Sequence, residues 1–268
     1  MDPIGQHGKG LDFSCRGQRA LVTGAASGIG RVIAEALLDA QAQVYVCDVS
    51  AEALAECEQA LPGVRTARAD VSDAGQVDAM FARIAEDFGG LDILVNNAGV
   101  TGPVGPIEDN DPAQWERNMQ VNVNGMFYCT RRAVPMLKQA GGGAIVNTSS
   151  VAGRMGYPGR AGYAASKWGV VGLTRSLSAE LGPHNIRVNA VLPGTVEGER
   201  HERLYAERAK RQNMTFQEAE ALYTTQVALR RFVTPRDIAA AVVFLCSPAA
   251  RNISGQALGV CGDVQYMR

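Results

Sequence analysis

Apolar positions along the chain follow two alternating rhythms. Arg19 to Thr23 is a short apolar run closed by Gly24, the mark of a buried strand. From Ile29 to Ala40 the apolar residues fall at Ile29, Val32, Ile33, Ala36 and Leu37, the spacing of an amphipathic helix. The alternation then repeats. Gln43–Asp48 and Val64–Ala69 predict strands, with a helix from Ser50 to Leu61 between them; Ser50 is its expected N-cap and Pro62-Gly63 its stop. Asp73 to Phe88 is helical through Val77, Met80, Phe81 and Ile84, and Gly89-Gly90 ends it before a fourth strand at Leu91–Val95. Helices are predicted at 112–119 and 123–138, a fifth strand at Ala144–Thr148, a long helix at Tyr163–Leu181 and a sixth strand at Arg187–Val191. A helix from Thr234 to Leu245, with Pro235 in its first turn, precedes a short last strand at Ala257–Val260.

Strands alternating with helices of this length predict an α/β fold: a doubly wound parallel sheet (Rossmann fold) with helices on both faces. No shift in composition marks a second domain, so residues 11–268 read as one domain after a loose tail at 1–10. The irregular stretch is Thr195–Arg230. Glu197 to Arg211 holds four Glu, four Arg, one Lys and one His, which predicts an exposed helical insertion able to serve as a substrate lid.

Composition narrows the function. A formal net charge of −1 gives no basic field for nucleic acid or anionic membrane, and no apolar run is long enough to span a bilayer. Met1–Gly10 lacks the apolar core of a secretory signal, so a cytoplasmic protein is expected. The six Cys show no metal-ligand spacing, so no metal site is expected and they read as reduced core and surface thiols.

Candidate chemistry sits in four places. Thr23-Gly24-Ala25-Ala26-Ser27-Gly28-Ile29-Gly30 joins the first strand to the first helix, where backbone N–H groups and the helix dipole can meet a pyrophosphate. Gly24 permits the turn, Gly28 lets the backbone approach the phosphates, and Gly30 allows close packing. Asp48 ends the second strand; a carboxylate there accepts hydrogen bonds from ribose hydroxyls and repels a 2′-phosphate, which favours NAD. Neither Ser27 nor Val49 is basic, so no neighbour in sequence argues for the extra phosphate. Asp70, followed by Val71, either meets the adenine or simply shapes a turn. Asn97, Ala98 and Gly99 either leave room for the cofactor or form a turn of their own. Finally, Tyr163 and Lys167 are four apart, so in a helix the ammonium lies over the phenol and favours its ionised form. Tyr163 then serves as a general acid or base, with Ser150 able to hold the substrate oxygen; the other reading is an ordinary surface Tyr and Lys on a helix.

Taken together these residues resemble the short-chain dehydrogenases/reductases, from about Leu11 to the C-terminus. The Thr-Gly-x-x-x-Gly-x-Gly turn matches at 23–30, Asn-Asn-Ala-Gly at 96–99, and the Tyr-x-x-x-Lys pair at Tyr163 and Lys167. The resemblance implies a catalytic Asn at Asn122, a catalytic Ser at Ser150 rather than Ser149, and a nicotinamide-facing segment at Pro193, Gly194 and Val196. It further implies a seven-stranded sheet, a homodimer or homotetramer built through long helices, a Lys167 hydrogen bond to the nicotinamide ribose, and a relay water held by Asn122. Without the resemblance, Asn122 reads as an amide satisfying a backbone carbonyl. One departure stands out: Cys261-Gly262-Asp263 replaces the family's frequent Asp-Gly-Gly, which leaves the last strand and its subunit contacts open.

The expected activity is an NAD-dependent interconversion of a small polar or cyclic secondary alcohol and its ketone; the alternative class is a non-catalytic nucleotide-binding sensor or assembly component. Arg154, Arg160 and Arg200 lie in segments expected to line the substrate pocket, where an Arg binds a carboxylate, sulfonate or phosphate. The competing reading, preferred for charged residues in general, is solvated surface.

Overall fold

The computed structural model describes residues 12–266, apart from the side chains of Glu199 and Arg200. The tail at 1–10 and the side chain of Arg200 therefore lie outside the described residues. Seven strands, β1 (Arg19–Thr23), β2 (Gln43–Asp48), β3 (Arg65–Arg68), β4 (Ile93–Asn96), β5 (Gly143–Thr148), β6 (Ile186–Pro193) and β7 (Ala257–Val260), form one sheet. All pairings are parallel, in the order β3-β2-β1-β4-β5-β6-β7. The order reverses between β1 and β4, so a crevice opens at their carboxyl ends, where doubly wound sheets bind ligands.

Helices α1 (Gly28–Asp39) and α9 (Pro235–Cys246) cover one face together with α2 (Ala51–Ala60). On the other face lie α3 (Ala74–Phe88), α5 (Gly125–Gln139) and α6 (Ala161–Leu181). The central strands β1, β4 and β5 are largely apolar because both faces are covered, whereas the edge strand β3 (Arg-Thr-Ala-Arg) buries only Ala67. Leu21, Val22, Ile93, Leu94, Val95 and Ile145 are fully buried, each contributing about 1.5–3 kcal/mol of transfer free energy.

Two predicted features come out differently. The helices read separately at 112–119 and 123–138 are joined: α4 (Pro112–Met119) runs into α5 through one π turn at Gln120–Asn124. The insertion is also not simply exposed. It holds two helices, α7 (Glu199–Gln212) and α8 (Phe216–Thr224), and the second was not anticipated. Between them they bury His201, Tyr205, Ala219 and Tyr223, with Phe216 and Phe232 packed alongside. Charged residues dominate α7 in sequence, yet its few apolar and aromatic positions share one face. The departing segment after β7 closes this unit, since Ala228 and Leu229 donate backbone hydrogen bonds to Asp263 and Gly262. All six cysteines are free and buried, so none is a surface thiol.

Candidate active site

The β1–α1 turn is built around contacts that only glycine permits. A Cβ on Gly30 would lie 2.3 Å from the Gly24 carbonyl oxygen and 2.6 Å from Asn97 Nδ2, so α1 seats against the turn and the end of β4 as well as on the strand. Gly28 has a left-handed φ of 56°, and a Cβ there would meet nothing within 4 Å. Ser27 makes no side-chain cap, and the first turn of α1 holds no acidic residue. No side chain of the turn thus meets its first N–H groups or its dipole, an arrangement that fits a pyrophosphate.

Across the crevice, Asn97 fastens β4 to β1. Its Nδ2 donates to the carbonyls of Thr23 (3.1 Å) and Gly24 (2.8 Å), while Thr23 Oγ1 accepts from the N–H groups of Asn97 and Ala98. Asn96 turns inward, joining Asn147, Thr130 and Thr174 in a buried amide–hydroxyl chain that sequence reading did not single out.

Asp48 lies beside the glycine turn. Its carboxylate accepts from Ala26 N–H (3.2 Å) on one oxygen and from Val49 (2.7 Å) and Ser50 (3.2 Å) on the other. Three acceptor positions of about four are filled, leaving capacity for a hydroxyl donor. A basic group does stand nearby, contrary to the reading from sequence neighbours alone: Arg68 Nε donates to the Val49 carbonyl at 3.1 Å. β3 brings it there, a pairing that adjacency in sequence does not show. Asp70 is engaged by Ser72 and by Arg117. Burial would push its carboxyl up, but these hydrogen bonds and the Arg117 charge outweigh it and hold it below the usual range. Val71 is buried against Gly125.

α6 carries Tyr163 and Lys167 on one face. The buried Lys167 Nζ stands 5.7 Å from the centre of the Tyr163 ring and donates to the Thr148 carbonyl at 2.9 Å. That carbonyl ends β5, two residues before Ser150, which caps a short turn through Ala152 N–H. Ser149, by contrast, is spent on the Lys167 carbonyl at 2.8 Å. Asn122 sits in the π turn, the helix irregularity often found at functional sites. Its Oδ1 accepts from Val100 N–H, and its Nδ2 donates to the Val100 carbonyl and to Ser166 Oγ. Ser166 in turn donates to the Tyr163 carbonyl, so Asn122 ties the β4 loop to α6. The carbonyl it satisfies lies in that loop, and both its amide donors are in use.

Pro193 ends β6 and Gly194 follows it, packed so closely on Cys261 that a Cβ would lie 3.0 Å away. The next residue, Thr195, donates its N–H to Tyr223 Oη at 2.9 Å. Val196 pairs with Val233 in a parallel bridge. The insertion therefore grips this segment through the Tyr223 phenol, which burial pushes upward in pKa, as it does that of the neighbouring Tyr205. The Thr215/Glu218 capping box that starts α8 was legible as Thr-x-x-Glu.

A family model described as enoyl-(acyl carrier protein) reductase matches residues 24–263. The 3-oxoacyl-(acyl-carrier-protein) reductase of Staphylococcus aureus is 39% identical over 259 residues, covering 92% of this chain and 98% of its own. This chain belongs to the short-chain dehydrogenase/reductase family. Another relative in the family, the cis-4-hydroxycyclohexanecarboxylate dehydrogenase of Sinomonas cyclohexanicum, is 37% identical and covers 91% of this chain and 94% of its own. Among solved members, the L-sorbose reductase of Gluconobacter frateurii, complexed with NADPH and L-sorbose, superposes with a TM-score of 0.89 at 29% identity. It covers 95% of this chain and 99% of its own. An actinorhodin polyketide ketoreductase with NADPH gives a TM-score of 0.88 at 34% identity, covering 93% and 97%. These relatives are oxidoreductases of hydroxyl and keto groups by name, and two of their structures hold NADPH.

Proposed function

We propose that this short-chain dehydrogenase/reductase is an NAD-dependent oxidoreductase that interconverts a small secondary alcohol and its ketone, with Tyr163 as general acid/base. The observation that carries the reading is the buried Lys167 ammonium beside the Tyr163 ring. A cation there favours the phenolate and brings the phenol toward use near neutral pH. In oxidation Tyr163 takes the proton of the alcohol; in reduction it returns it. Ser150 holds the reacting oxygen, and Lys167 would also help hold the nicotinamide ribose. Asn122, with its amide donors committed to Val100 and Ser166, acts as a positioning residue that keeps the β4 loop against α6. A sensor or assembly component has no use for such a pair.

The cofactor's nicotinamide supplies the acceptor or donor of hydride. The residues that would hold it are Gly24, Ser27, Gly28, Ile29 and Gly30 at the pyrophosphate, Asp48 at the ribose, and Asp70 with Val71 at the adenine. Asn97, Ala98 and Gly99 would line its middle, with Pro193, Gly194 and Val196 at the nicotinamide. The choice of NAD rests on Asp48; Arg68 at Val49 and the NADPH in two related structures favour NADP instead. We read α7 and α8 as the substrate lid, and exposed Phe127 on α5 and Trp168 on α6 support a homo-oligomer built through those helices.

A panel of secondary alcohols with NAD and with NADP, followed by absorbance of the reduced cofactor, tests the reading. Turnover is expected with NAD and lost in Tyr163→Phe; a Tyr163→Phe protein that keeps its turnover overturns the assignment. Asp48→Ala is expected to admit NADP and Arg68→Ala to leave NAD binding intact. Tighter binding of NADP that depends on Arg68 reverses the cofactor choice.

A further inference from the structure

Arg160 is the residue whose environment the proposed reaction leaves unexplained. It occupies the N-cap of α6, three residues before Tyr163, and is only 7% exposed. Its guanidinium carbon lies 5.3 Å from the centre of the Tyr163 ring and 5.4 Å from that of Tyr157. Among the described residues no carboxylate pairs with it. Its one side-chain hydrogen bond is a long contact, 3.4 Å, from an amino nitrogen to the Thr101 carbonyl, and its buried Nε has no partner.

Buried charges in folded proteins are paired, because removing an ion from water is costly unless a counter-charge repays it. Location adds to the imbalance. A cation at a helix N-terminus faces the positive end of the dipole, and α6 has neither a side-chain cap nor an acidic residue in its first turn. Two rings hold the guanidinium in place while its donors stay unspent. The loops on either side, 100–106 and 154–159, meet at the Gly105 N–H to Gly159 carbonyl bond of 2.9 Å. They carry four glycines, at 102, 105, 156 and 159. Arg154 offers no such site: it is exposed, with its guanidinium 3.3 Å from Cys261 Sγ.

We infer that Arg160 is a specificity-determining residue that binds a carboxylate of the substrate, so that the preferred substrate is a hydroxy acid or keto acid. A guanidinium and a carboxylate match as two parallel hydrogen bonds, which fixes orientation as well as affinity. With the guanidinium stacked on Tyr163, the acid group sits a few bonds from the carbon that carries the reacting oxygen. This inference rests on the proposed role of Tyr163 for its chemistry and on Arg160 alone for its anion.

The test separates the two. Acetoacetate, 4-oxopentanoate and 5-oxohexanoate, each against its methyl ester, are titrated calorimetrically into the protein with reduced cofactor present, and turnover is measured in parallel. At least one acid is expected to bind tenfold or more tightly than its ester. That ratio is expected to fall to near one in Arg160→Gln and to recover in part in Arg160→Lys. If no acid is preferred, or the preference survives Arg160→Gln, the inference is overturned. It is overturned as well if Arg160→Gln weakens acid and ester equally, since Arg160 then serves Tyr163 or the loops. Preferred binding of an acid without turnover of any compound leaves the carboxylate site standing and defeats the dehydrogenase reading instead.

Discussion

Where the strands begin, Arg19 is held by Asp92 through bonds of 2.7 and 2.9 Å, and the half-buried Arg187 donates to the Leu245 and Cys246 carbonyls that end α9. Where the strands finish, Arg160 stands at the N-cap position of α6 with its Nε unmatched, and the first turn of α1 has neither a side-chain cap nor an acidic residue. Both ends of the sheet hold an arginine at a helix terminus. One sits at the negative end of its dipole and closes the structure; the other sits at the positive end and leaves donors unspent. A cleft of about 190 Å³ does open at the closed end, near Arg187 and Arg251, but both terminal nitrogens of Arg187 there already donate to the end of α9. Unspent donors mark the functional end better than volume does.

The largest expected effect lies at the open end. Lys167→Met should lower turnover near neutral pH on the order of 100-fold. Because the ammonium favours the phenolate, its loss raises the Tyr163 pKa, so the oxidative rate should recover as pH rises; a flat pH profile would break the contrast. Next comes the glycine pair. Gly30→Ala should destabilise by about 1–3 kcal/mol, seen as a lower melting temperature, because its Cβ meets backbone. Gly28→Ala should cost only about 1–2 kcal/mol of backbone strain, yet weaken cofactor binding in a titration.

At the closed end Asp92→Asn should cost about 2 kcal/mol at neutral pH by chemical denaturation. Burial alone would raise the Asp92 pKa, but the hydrogen bonds and charge of Arg19 outweigh it and hold the carboxyl low. A depressed folded pKa means that this stability is present above about pH 4 and lost as pH falls through the folded value. The gap between wild type and variant should therefore close in acid. Smallest is Tyr223→Phe, which removes an acceptor for Thr195 N–H and should cost about 1 kcal/mol, with its kinetic trace in KM.

The alternation of strands and helices was legible because both periodicities come from burial, which acts on every residue. The seven strands appear where the sequence places them, to within a few residues. The α8 helix was missed although Thr215 and Glu218 announce its start, because the charges before it drew the eye to solvent. Arg68 beside Val49, Arg160 beneath two rings and Asn96 in its buried chain were not legible. Each depends on residues brought together across the sheet, and sequence distance carries no trace of such meetings. Asn122 was placed by resemblance, but what its amide holds could only be read from the loop folded over it.

The stitch between Thr23 and Asn97 also bears on how the molecule comes to exist. These residues are 74 positions apart, and their bonds form only when β4 docks beside β1. Strands β1, β2 and β3 adjoin in order and can assemble from the first part of the chain as it emerges. The groove between β1 and β4 cannot, since its second wall is made later and closing that loop carries an entropic cost. Chains halted before β4 should thus be compact in part yet unable to hold a nucleotide, and nucleotide capture would report the moment at which the sheet changes direction.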